Sequence, residues 1–180
     1  MSASSSLYFA QTQSPLGTII LVASGGSICG LYFDDQSDCP VFTRNSYNPG
    51  TDAFRVDNCC PRTERAVLSR TIDQLHQWFA HQRTCFNIPV HFQGTAFQRM
   101  VWSALQTIPY GQTLTYGDIS VLVSGNTKSS RAVGAAIGQN PISIIVPCHR
   151  VVGKDGRLTG FSGGLHRKSA LLAHEGLSLV

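Results

Sequence analysis

The chain has 180 residues, 42% of them apolar, and a formal net charge of +4. That length and composition suit one good-sized domain or two small ones, soluble and globular. No apolar run approaches the ~18 residues of a membrane span, and the N-terminus lacks a basic region followed by a long apolar stretch, so a membrane partner is excluded and a cytoplasmic location (nuclear in a eukaryote) is expected. The six cysteines, Cys29, Cys39, Cys59, Cys60, Cys85 and Cys148, form no CxxC pair and read as thiols of a reducing compartment.

Charge is unevenly spread. Up to His91 there are six basic against seven acidic residues; from Gly94 onward there are eight against three. A basic C-terminal half fits a polyanion such as nucleic acid, and equally an ordinary solvated surface.

In chain order, Leu16 to Ala23 and Ser27 to Phe33 are β-rich runs around Ser24-Gly25-Gly26, a hairpin signal. Asp34 to Arg62 loses periodicity and carries several turn formers, which predicts a long surface loop ending at Cys59-Cys60. From Glu64 to His81, Leu68, Ile72, Leu75 and Phe79 paint one helical face that would pack on the sheet. Phe86 to Phe92 reads as a further strand, with Pro89 marking an edge or bulge.

A boundary is expected at residue 93, giving an α+β domain over 1–93 and a second domain over 94–180. Thr95 and Gln98 have capping-box spacing, and Phe97, Val101, Leu105 and Ile108 continue as a helical stripe to Pro109. Thr115 can cap a helix from Tyr116 to Val123. Gly125-Asn126 breaks it, and Ser129 or Ser130 starts another through Ile137. Two short helices about a Gly-containing turn suggest a helix-turn-helix, although such pairs are also plain core. The second helix is nearly bare, with Ala132, Gly134, Ala135, Ala136 and Gly138, and Arg131 near its start could reach phosphates or fill a gap in a base stack.

Asn140-Pro141 ends that helix, and the Asn140 amide can pin the following turn. The run Ile142 to Val146 then leads through Pro147 to Cys148, His149 and Arg150. A cysteine is a good nucleophile only as thiolate, and an imidazole and a guanidinium next to it both favour that form. On an extended segment neighbouring side chains diverge, so His149 would reach the sulfur through a bent backbone or one bridging water. The plain alternative is a buried core thiol.

The blocks Arg131 to Ala136, Asn140-Pro141, Ile144 to Val151, Ser162-Gly163-Gly164 and Leu171 to Gly176, with the Ser-Pro-Leu-Gly opening at Ser14 to Gly17, resemble the O6-alkylguanine-DNA alkyltransferases. The likeness runs without an obvious gap from Gly94 to Gly176. It implies an RNase H-like N-terminal domain and a helical, helix-turn-helix C-terminal domain that together act as a suicide DNA-repair protein. The substrate would be O6-alkylguanine in double-stranded DNA, less surely O4-alkylthymine, bound from the minor groove and flipped out. The resemblance implies Cys148 as alkyl acceptor, His149 as water-mediated base and Glu175 as its orienting partner. Asn140 would hold the turn, and Tyr116 would rotate a phosphate and protonate the leaving guanine. Arg131 would fill the vacated stack, with Lys128, Ser129, Ala132 and Ala135 also facing DNA.

Pro147, Val151, Val152, Gly160, Phe161, Ser162 and Gly163 would form the substrate pocket, Gly163 leaving room beside the alkyl group. No cofactor and no metal are implied, and the protein would be a monomer in solution, with cooperative assembly on DNA left open. Two features depart from the family pattern: Phe161 stands where many relatives have tyrosine, and Ser169-Ala170 where a larger acid-aromatic pair is frequent. Two other classes compete: a non-catalytic alkylguanine binder, which would lack the cysteine, and a DNA-binding regulator using Cys148 as a sensor.

Overall fold

The computed structural model describes residues 6–36, 38–39 and 60–177. Most of the predicted loop, including Cys59, lies outside the described residues. The described cysteines are free thiols. The chain divides into two compact units, 1–91 and 92–180, with the boundary two residues before the predicted one.

In the first unit, β1 (Tyr8–Ser14), β2 (Gly17–Ser24) and β3 (Ser27–Phe33) form an antiparallel meander. The β2–β3 turn is closed by Gly25 and Gly26 at φ 58° and 73°, the two left-handed positions that a two-residue turn between right-twisted strands demands. Helix α1 (Arg62–Phe79) covers the sheet. Its buried stripe is Val67, Leu68, Thr71, Leu75 and Trp78, rotated from the predicted one, so that Ile72 and Phe79 are half-buried. The predicted strand over 86–92 is not one: Pro89 has no N–H, and only Val90 bridges Ile28, through Ile28 N–H to Pro89 O (2.9 Å) and His91 N–H to Ile28 O (2.8 Å).

In the second unit the order is α2 (Ala96–Leu105), β4 (Leu114–Thr115), α3 (Tyr116–Ser124), α4 (Ser130–Gly138), a 3-10 turn (Cys148–Arg150), β5 (Val151–Val152) and α5 (Leu165–His174). Thr95 and Gln98 close a capping box on α2, and Thr115 and Asp118 close one on α3. Helix α2 ends at Leu105, four residues before Pro109. Ser129 stands before α4 but makes no side-chain cap. Helices α2, α3 and α4 pack on one another, and the indole N–H of Trp102 on α2 donates to Ala136 O on α4 at 2.8 Å.

The short parallel pair β4–β5 positions the chemistry. Leu114 pairs with Val151 and Thr115 with Val152, so the residue before Tyr116 is stitched to the strand that begins three residues after Cys148.

Candidate functional site

Asn140 builds the turn that presents the thiol. Its side-chain oxygen accepts from Ile142 N–H (3.1 Å), and its amide donates to Val146 O (2.9 Å) and to Cys148 Sγ (3.1 Å). Within the loop so pinned, Ile144 sits at φ 68° while 1% exposed. A β-branched residue in the left-handed region costs on the order of 1–3 kcal/mol, and the buried apolar run around it holds it there.

Cys148 opens a single 3-10 turn, its N–H donating to Val146 O (2.8 Å) while Arg150 N–H reaches back to Pro147 O (3.0 Å). The backbone is therefore bent, but the bend does not bring the His149 ring into hydrogen bond with the sulfur among the described residues, which leaves the bridging water as the route between them. Cys148 is 4% exposed. Burial pushes its thiol pKa up, against the opposing pull of the Asn140 amide and the Lys168 ammonium, so the resting group is a thiol that needs a base.

His149 is fully buried and hydrogen-bonds through Nε2 to Glu175 Oε1 at 2.9 Å. With an ionised carboxylate there, Nε2 carries the proton and Nδ1 keeps a lone pair. Nδ1 has no hydrogen-bond partner among the described residues. Burial holds the imidazole pKa below its usual value, only partly offset by Glu175, and the Arg150 and Lys168 charges lower it further. A neutral imidazole with a free acceptor nitrogen is a general base.

Glu175 would be pushed up by burial, but hydrogen bonds and charge from His149 and Arg150 hold it at about 2. Arg150 does not serve the thiol as a neighbouring cation, as the sequence suggested. Its Nη2 donates to Glu175 Oε1 (2.8 Å), its Nε to Oε2 (2.9 Å) and its Nη1 to Ile108 O (2.6 Å).

The cation that acts on the thiol is Lys168 on α5, which sequence reading counted only as a charge. Its Nζ donates to Val151 O (2.6 Å), Thr159 O (2.7 Å) and Gly160 O (3.4 Å), and burial lowers its pKa to about 8. A lysine in a helix reads as solvated, and no local sequence signal marks this one as buried.

A cleft of about 100 Å³ opens on Cys148. It is lined by Gly160, Phe161 and Ser162 of the predicted pocket, and by Tyr116, Gly134, Ile137 and Gly138. Gly134 faces the Tyr116 ring, and a Cβ there would stand 3.5 Å from it, an ordinary van der Waals contact. The Tyr116 hydroxyl donates to Thr159 O at 3.2 Å.

The other predicted pocket residues are buried and are not among those lining the cleft. Val151 and Val152 are buried in β5, Pro147 is buried ahead of the turn, and the carbonyl of buried Gly163 accepts from Arg167 Nη1 at 3.0 Å. None of these four lines the cleft, because β5 turns its side chains into the core and Gly163 is tied to α5.

On α4, Arg131, Ala132, Ala135 and Gly138 are exposed, whereas Val133, Ala136 and Ile137 are buried. Lys128 is exposed and Ser129 half-buried ahead of it. A small-residue face with one arginine is thus left open on the second helix of the pair.

Two family descriptions match almost the whole described chain: 6-O-methylguanine DNA methyltransferase, ribonuclease-like domain, over residues 7–92, and its DNA binding domain over 96–177. The methylated-DNA–protein-cysteine methyltransferase of Mycobacterium tuberculosis is 40% identical over 94% of this chain and 92% of its own. That of Haemophilus influenzae is 38% identical over 97% and 89%. The crystal structure of the M. tuberculosis O6-methylguanine methyltransferase superposes with a TM-score of 0.76 at 40% identity, covering 94% of this chain and 93% of that one. Its complex with DNA gives 0.74 at 40% identity, over 93% and 91%.

Proposed function

This chain belongs to the O6-alkylguanine-DNA alkyltransferase family, and from that premise we infer how its own residues carry out the repair. The reaction is direct reversal: the alkyl group of O6-alkylguanine in DNA passes irreversibly to Cys148 in a single turnover. The observation that carries the assignment is Cys148 facing the cleft with its sulfur on the Asn140 amide and the His149–Glu175 pair behind it.

In the mechanism we infer, His149 Nδ1 takes the Cys148 proton through one water. The thiolate attacks the carbon on O6, the carbon–oxygen bond breaks, and its electron pair stays with guanine. The Tyr116 hydroxyl gives a proton to the leaving base; the phenolate then regains a proton from solvent and the His149 imidazolium loses its proton to solvent, so that the product is a neutral thioether with no easy exit. Asn140 and Lys168 stabilise the thiolate, as their positions and their effect on the thiol support. Ser162 and the backbone of the 160–162 loop supply polar contacts to the flipped base.

The exposed face of α4 supports minor-groove binding, its small residues admitting the backbone and Arg131 entering the emptied stack. Phosphates would be met by Lys128 and Ser129. The active species is taken to be a monomer.

The test is the intact mass after incubation with excess duplex carrying one O6-methylguanine, beside a Cys148→Ser control and an O4-methylthymine duplex. One methyl replacing one hydrogen, absent from the control, is expected. No gain despite tight lesion binding would move the chain to the lesion-recognition class. Blocking the minor groove with a groove-binding dye should abolish transfer, and undiminished transfer would remove that mode of docking.

A further inference from the structure

The base can act only while it is uncharged, and one residue outside the cysteine–histidine–glutamate set is placed to keep it so. Glu175 is a hub. Its Oε1 accepts from His149 Nε2 (2.9 Å) and Arg150 Nη2 (2.8 Å), and its Oε2 from Arg150 Nε (2.9 Å) and Gly111 N–H (3.1 Å). Arg150 thus grips both carboxylate oxygens in the fork that only guanidinium offers. The same side chain is fixed at its far edge by Ile108 O (2.6 Å), and its Cζ lies 5.9 Å from the centre of the Tyr110 ring. Tyr110 is itself tied back, its hydroxyl donating to His174 O at 3.0 Å. The guanidinium has no freedom to leave.

We propose that Arg150 is a positioning residue for the transfer reaction: it satisfies the charge of Glu175 so that His149 is oriented by the carboxylate without being protonated by it.

The charge count supports this. At rest the buried groups are Arg150 and Lys168, both positive, and Glu175, negative, around a neutral thiol and a neutral imidazole. Moving the proton from Cys148 to His149 creates a thiolate and an imidazolium, so the buried net charge is unchanged. Without Arg150 the carboxylate keeps only His149 and Gly111 as donors, and an imidazolium becomes its natural counter-charge. The base is then already occupied at neutral pH. The groups facing His149 are Glu175, Arg150, Lys168 and the thiol itself, and of these Arg150 and Lys168 both disfavour the imidazolium. Lys168 is committed to three carbonyls beside Cys148 and cannot replace the fork on Glu175.

The inference rests on the methyl-transfer reading above, and the experiment separates the two. Single-turnover methyl transfer from an O6-methylguanine duplex is followed from pH 5 to 9 in wild type, Arg150→Gln and Arg150→Lys. On the acid side wild type should hold through neutral pH and fall only below the ordinary imidazole range, while a decline above about pH 8, as Lys168 loses its proton, is common to all three proteins. Arg150→Gln should move that acid limb upward by about two pH units or more, past neutral, slowing transfer about tenfold at pH 7 and recovering much of the loss, relative to wild type, at pH 8.5. Arg150→Lys, which keeps the charge, should hold its limb near the wild-type position.

Parallel profiles, reduced by one factor at every pH, would overturn the proposal and leave Arg150 a packing residue. Should Arg150→Gln fail to fold, nitrogen NMR of the His149 ring in wild type decides. An imidazolium at pH 7 overturns the proposal, and a neutral Nε2–H tautomer upholds it. Absence of methyl transfer by the wild-type protein would refute the repair reading instead.

Discussion

Replacing Glu175 by glutamine gives a stability test in which pH supplies the control. The carboxyl sits at about 2 in the folded protein against an ordinary 4.5. A folded value below the unfolded one means that its stabilisation is complete above pH 4.5 and is lost as pH falls toward 2. A displacement of that size corresponds to about 3 kcal/mol. Losing the charge also strands the Arg150 guanidinium, and breaking a buried pair from one side costs about 3–5 kcal/mol, a compatible figure.

The assay is urea unfolding followed by tryptophan fluorescence. There are two tryptophans, Trp78 in the first unit and Trp102 in the second. A Trp78→Phe background therefore makes the signal report on the unit that holds the site. Glu175→Gln should be less stable by about 3 kcal/mol at pH 7, and the gap should narrow between pH 4.5 and 3 as the carboxyl of the unfolded wild-type chain takes up a proton that the folded one still refuses. A gap that stays constant over that interval, or one under about 1 kcal/mol at pH 7, would refute the charge-based account of the site.

Three further substitutions probe separate parts of the molecule. Asn140→Ala removes the bonds to Val146 O and Cys148 Sγ and leaves buried groups unpaired; a loss of about 2–4 kcal/mol in the same unfolding assay is expected, with slower methyl uptake by intact mass. Lys168→Met keeps the chain length but removes the cation; DNA affinity by fluorescence anisotropy should hold, while single-turnover transfer falls about 10- to 100-fold, the kinetic equivalent of ~1.5–3 kcal/mol. Arg131→Ala should leave thermal stability unchanged, since the side chain is exposed, and should weaken lesion-duplex binding with a salt slope shallower by about one.

Much of this fold was legible because local chemistry and tertiary role agree. Thr95/Gln98 and Thr115/Asp118 cap helices in the sequence and in the structure, and the Gly25-Gly26 turn closes the hairpin foreseen. Strand β1 escaped notice because Ala10 and Thr12, its most buried positions, give no apolar alternation. The stretch 86–92 misled for the converse reason, its alternation being real while Pro89 forbids a ladder.

At the site, residues adjacent in sequence or carried by a family block were readable: Cys148, His149, Glu175, Asn140 and Tyr116 gather about one sulfur or one cleft. What could not be read was the target of long cationic side chains. Arg150 and Lys168 look alike on paper as neighbours for a thiolate. Their roles diverge only because α5 carries Lys168 under the carbonyls of residues 151 and 159, whereas the 3-10 turn aims Arg150 at Glu175.

These features fit a protein that reacts once. The site holds Ile144 in a left-handed conformation, an imidazole nitrogen without a partner among the described residues, and the buried charges of Arg150, Lys168 and Glu175, each a standing cost to stability. A turnover enzyme must preserve such an arrangement through product release. Here the thioether stays, and the added carbon must share a cleft of about 100 Å³ with Tyr116 and Phe161 while the Asn140 amide faces a sulfur that can no longer become anionic. The transition state receives the full benefit of the buried charges, because thiolate and imidazolium arise together. The product receives little of it, since it carries neither charge. The arrangement is therefore tuned to the moment of transfer, and the spent protein should be the less stable form by about 1–3 kcal/mol, as for other overpacked cores. A methylated protein that melts at or above the temperature of the free thiol would contradict this.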